Sequence, residues 1–81
     1  MISFDHYKEA KDLAEALKKE KMENYADKII KAMNEGSTGT EIFMALRWNI
    51  ENFMVVNAVT MPEAIKKKAT ILYKELNNAL Q

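Results

Sequence analysis

Few side chains in this chain could carry chemistry, and they are scattered. The single histidine, His6, has Asp5 and Glu9 beside it, and an imidazole with two carboxylates is the start of a metal site. Such a grouping is also ordinary on a charged surface, and no metal or cofactor is expected from it. A nucleophile would have to be Ser3, Ser37, a threonine or a lysine. None has a second histidine or a recognisable activating base near it in sequence. Cysteine is absent, which excludes thiolate catalysis, a disulfide framework and Cys-ligated zinc. No enzymatic activity is expected.

Two stretches could bind anions. The turn Ser37-Thr38-Gly39-Thr40 precedes a helical pattern and has hydroxyls and free amides, but it lacks the lysine and glycine spacing of a phosphate-binding loop. It reads as a cap: Thr38 followed three residues later by Glu41 is a capping box. The run Lys66, Lys67, Lys68, with Lys74 further on, is the one basic cluster, and consecutive helical positions fan out instead of forming a stripe. Twelve basic residues balance twelve acidic ones, so no overall field draws in nucleic acid. A weak, salt-dependent nucleic-acid regulator using this fourth helix is the alternative function.

The element that must organise the rest runs from Gly36 to Val59. Between Ile42 and Val59 only Arg47 and Glu51 are charged, in a chain that is 30% charged overall, so the segment is expected to be a mostly buried central helix. At 100° per residue, Ile42, Phe43, Leu46, Ile50, Phe53 and Met54 form a wide apolar arc. Thr40, Arg47 and Glu51 form a polar strip, with Arg47 and Glu51 at pairing distance along the surface. Beyond the strip lies a second apolar patch, Met44, Trp48 and Val55. The simpler expectation is that this patch touches a neighbouring helix, because a middle helix packs on both sides. The other is that Met44, Arg47, Trp48, Glu51 and Val55 form a contact surface for a protein partner or a second copy of the chain, since Trp and Met favour interfaces.

The string Gly36-Ser37-Thr38-Gly39-Thr40-Glu41-Ile42, continuing to Ala45-Leu46-Arg47-Trp48, resembles one found in small uncharacterised bacterial all-helical proteins. The resemblance covers this stretch alone. It implies a bacterial origin and a helical fold, and brings no activity with it.

The remaining chain reads as three further helices. Over 5–21, Tyr7, Ala10, Leu13, Ala14 and Leu17 share one arc, with Ser3 or Asp5 as cap and Lys11–Glu15 and Glu15–Lys19 at pairing distance outside. Over 24–35 the apolar set is Tyr25, Ala26, Ile29, Ile30 and Met33, entered by Met22, capped by Asn24 and stopped by a left-handed Gly36. The central helix spans 39–56. Over 61–79 the face is Met61, Ile65, Ala69, Leu72, Tyr73, Leu76 and Leu80, opened by a Thr60–Glu63 capping box with Pro62 in the first turn.

The expected fold is all-α, one helical domain over 1–81, either an up-down four-helix bundle or two packed helical hairpins. At this size a single core leaves a small stability margin, which an oligomer would relieve. The six methionines are expected to be core filler before they are a binding groove. No signal peptide is visible and no apolar run approaches bilayer length, so a cytoplasmic protein without membrane contact is expected. The function expected is protein–protein contact, as an adaptor, inhibitor or immunity-type partner, and as a homodimer if Trp48 lies outward.

Overall fold

A computed structural model describes residues 4–81; Ser3, one of the two candidate first caps, lies outside them. Four helices and no strand occur among the described residues: α1 His6–Lys19, α2 Glu23–Glu35, α3 Gly39–Val56 and α4 Glu63–Leu80. The all-helical expectation is met. Each helix packs on its neighbours in sequence, and α4 closes the ring against α1.

Cross-helix contacts give the directions. The His6 ring at the start of α1 stacks on Phe43 at the start of α3, with centroids 4.6 Å apart, and its Nε2 lies 3.3 Å from the carbonyl oxygen of Glu75 near the end of α4. Tyr25 at the start of α2 meets Phe53 near the end of α3, centroids 5.7 Å apart. Arg47 reaches Asn77 while Met54 meets Thr70, so positions rise along α3 as they fall along α4. These directions describe an up-down-up-down ring, one of the two arrangements expected. It measures 31 × 28 × 20 Å, against the ~27 Å length of an 18-residue helix.

One side of every helix fills the centre. Leu13 and Leu17 from α1, Ile29 from α2, Leu46, Ile50 and Phe53 from α3, and Ile65, Leu72 and Leu76 from α4 are fully buried and form one cluster with alanines between them. Burying each of these side chains is worth about 1.5–3 kcal/mol relative to exposure. Small residues at Ala10, Ala14, Ala26 and Ala69 let the backbones approach. The expected arcs for α1, α2 and α4 therefore hold, apart from Tyr7, which is exposed.

The helix ends depart from expectation in four places. Asp5 caps α1 through Oδ1, which accepts from the Lys8 amide at 3.1 Å. The helix nevertheless ends at Lys19, because Lys21 is left-handed (φ 62°). Its amide donates to Lys18 O at 3.1 Å and the Met22 amide to Leu17 O at 2.8 Å, a Schellman motif with lysine in the position glycine usually takes. Met22 then precedes α2 directly, so Asn24 lies inside the first turn and does not cap it.

Gly36 is extended (φ −71°, ψ 140°) and not the left-handed stop the spacing suggested. It is needed for close approach: a Cβ there would overlap Ile42 Cγ1 and lie 3.2 Å from the Ile42 amide nitrogen. The Thr60–Glu63 box does not form either. Asn57 O accepts from Thr60 and Met61 amides at 3.2 and 2.9 Å, which holds the turn, and Pro62 becomes the cap residue of α4. Finally, the surface ion pairs among the described residues are Lys8–Asp12 (3.2 Å) and Lys31–Glu35 (3.9 Å), not the Lys11–Glu15 and Glu15–Lys19 pairs that spacing allowed.

Candidate functional site

The start of α3 is fixed by its own side chains. Thr38 Oγ1 accepts from the Glu41 amide at 3.1 Å, and the Glu41 carboxylate reaches back to the Ser37 amide at 3.4 Å, one residue beyond the usual partner in a capping box. Two of the amides that could have held an anion, those of Ser37 and Glu41, are thus satisfied from within the turn, with a carboxylate beside them. From there the 100° step places Leu46, Ile50 and Phe53 on the core side and Met44, Trp48, Glu51 and Val55 on the opposite side.

That opposite side is open. Trp48 is 64% exposed, Met44 50% and Val55 73%, and Glu51 is exposed among them. The expectation that the middle of the chain is buried on most sides is therefore wrong. Met44, Trp48 and Val55 are not covered by a neighbouring helix as core residues would be, because a ring of four gives α3 only two flanking partners and leaves its outward side free. Met44, Trp48, Glu51 and Val55 share this one exposed face. An exposed indole within an apolar group is unusual on a monomer surface, where contiguous apolar patches seldom exceed a few hundred Å².

Arg47 stands at the edge of this face. Its guanidinium donates to Asn77 Oδ1 at 3.0 Å, so it braces α3 against α4, and among the described residues no Arg47–Glu51 ion pair forms. On the other edge, Asn52 Nδ2 donates to Trp48 O at 2.8 Å and Asn49 Nδ2 to Ala45 O at 2.9 Å, turning both amides back onto their own helix. A depression of about 180 Å³ beside the indole is lined by Tyr25, Lys28, Asn49, Asn52 and Val56. Lys28 Nζ lies 5.7 Å from the Tyr25 ring centroid and gives this margin a positive charge.

Two further members of the patch are not singled out by periodicity. Val56 and Val59 are exposed at the end of α3 and in the following turn, and extend the apolar area past Val55. Their signal is the charge-free run after Glu51, which points equally to core and to surface.

The other candidates are held in structural roles. His6 is packed between Phe4 and Phe43, with Nε2 beside the Glu75 carbonyl, and Asp5 is occupied as a cap. Among the described residues no group of His, Asp and Glu side chains is placed to hold a metal. Lys66, Lys67 and Lys68 are all exposed, and Lys67 and Lys68 border a groove of about 330 Å³ with Glu9, Ala64 and Ile71. That groove mixes one acidic and two basic side chains. No helix is long and apolar enough to cross a membrane among the described residues. Compared with family models, curated proteins and solved structures, the chain matches none.

Proposed function

We propose that this is a small non-enzymatic helical protein that works by protein–protein contact, as an adaptor, inhibitor or immunity-type partner in the bacterial cytoplasm, and that the outer face of α3 makes the contact. The observation that carries this reading is Trp48: the chain's one tryptophan is mostly in water, between Met44 and Val55, on the side of α3 turned away from the core. An exposed indole flanked by apolar groups is what an interface anchor looks like before its partner arrives, and truncating such an anchor typically removes about 2 kcal/mol or more of binding. Arg47 and Glu51 supply the polar rim. The bacterial setting rests on the Gly36 to Trp48 resemblance.

A photo-crosslinking amino acid at position 48, with one at the solvated position Glu15 as control, tests this in cells. Protein adducts at 48 and none at 15 are expected. Equal labelling at both positions, or retention of the purified protein on heparin at physiological salt, would contradict the reading; retention would favour the lysines of α4 instead.

A further inference from the structure

Resting on that reading, we propose that the occupant of the outer face of α3 is a second copy of this chain, packed antiparallel about a two-fold axis. Positions 44, 48, 51 and 55 are separated by four, three and four residues, a spacing that is the same from either end. A two-fold interface sets one surface against itself, so that residue i meets j and j meets i. Turning a copy of α3 end for end about the midpoint between Asn49 and Ile50 brings Met44 opposite Val55 of the second copy and Trp48 opposite Glu51 of the second copy.

The chemistry of those pairs is complementary. Each end of the stripe closes with an apolar pair. In the middle, each indole N–H, which can only donate, faces a carboxylate, which can only accept. Arg47 sits on the same edge of α3 as Glu51 and, in this register, within half a turn of Glu51 of the second copy. Each carboxylate near the axis then has a guanidinium beside it, although one Arg47 nitrogen already donates to Asn77.

A parallel copy would instead set each position against itself, with Glu51 facing Glu51 and no opposite charge across the axis. In the antiparallel register the two Glu51 side chains also lie only about 4.5 Å apart along the helix axis, but each has an indole N–H opposite and a guanidinium beside it to offset their repulsion. The face is one helix wide, which puts the interface at the small end of the known range, below about 1,200 Å² in total, where association is weak and concentration-dependent.

Sedimentation equilibrium of the full chain from about 1 µM to about 1 mM measures the association. Monomer at the low end and dimer at the high end are expected, with Trp48→Glu and, independently, Val55→Glu monomeric throughout and unchanged in helical circular dichroism. The chain has no cysteine, so introduced thiols report the register. Mixing the Met44→Cys and Val55→Cys variants under oxidising conditions should give a covalent dimer, while each variant alone stays unlinked, because like positions lie about 16 Å apart along the axis. Linkage within each single variant and not in the mixture would overturn the antiparallel register. A wild type that stays monomeric at the top of the concentration range would overturn self-association and leave the contact reading intact for a different protein. A dimer indifferent to both glutamate variants would overturn the outer face of α3 as the interface between copies, since the copies would then meet through another surface.

Discussion

The Arg47 guanidinium donates to Asn77 Oδ1 at 3.0 Å across the α3–α4 seam, and so the one cation of the central helix braces the bundle and does not pair with Glu51 four residues along. The partly buried bond outweighs the exposed pair, because a surface pair at helical spacing contributes only about 0.2–0.5 kcal/mol.

Asn77→Ala should therefore destabilise the protein by about 1 kcal/mol, and Glu51→Ala should change stability by less than about 0.5 kcal/mol. Urea titrations of the two variants check this. A larger loss for Glu51→Ala would restore the intrahelical pair.

Lys21 occupies the left-handed position of the Schellman turn between α1 and α2 (φ 62°), where a residue with a Cβ is disfavoured by about 1–2 kcal/mol. Lys21→Gly relieves that and loses part of the gain through the freer unfolded chain, so a net gain of about 0.5–1 kcal/mol is expected. The denaturation midpoint should rise with no change in slope.

The two threonine boxes look alike in sequence and differ in structure. Thr38→Ala should cost about 0.5–2 kcal/mol, because its hydroxyl accepts from the Glu41 amide. Thr60→Ala should fall within about 0.5 kcal/mol of wild type. Equal losses in a denaturant titration would contradict the cap assignments.

The two glycines separate in the same way. At Gly36 an added methyl overlaps Ile42, and Gly36→Ala should cost about 1–3 kcal/mol. At Gly39 the nearest atom to an added Cβ is Tyr7 Oη at 3.7 Å, an ordinary contact, so Gly39→Ala should stabilise by about 0.4–1 kcal/mol. Thermal melts of the pair should move in opposite directions.

The helices and the core are legible because burial leaves a 3.6-residue period in the sequence: Leu13 with Leu17, Leu46 with Ile50 and Phe53, and Leu72 with Leu76 all lie where that period puts them. The turns are less legible. Nothing in the lysine at position 21 announces a left-handed residue, and Thr60–Glu63 matches a capping pattern that Asn57 pre-empts by gathering the turn's amides on its carbonyl. The outer face of α3 is legible as a set of residues but not as a surface. Periodicity says that Met44, Trp48 and Val55 lie together; whether anything covers them depends on how many helices surround α3, which is a property of the ring and not of the segment.

Trp48 standing outside the core is the central claim, and the fluorescence of this sole tryptophan in dilute, monomeric protein tests it most directly. A red-shifted emission with full access to acrylamide and iodide is the predicted result. A blue-shifted, quencher-resistant emission at the same dilution would put the indole inside the bundle and contradict it.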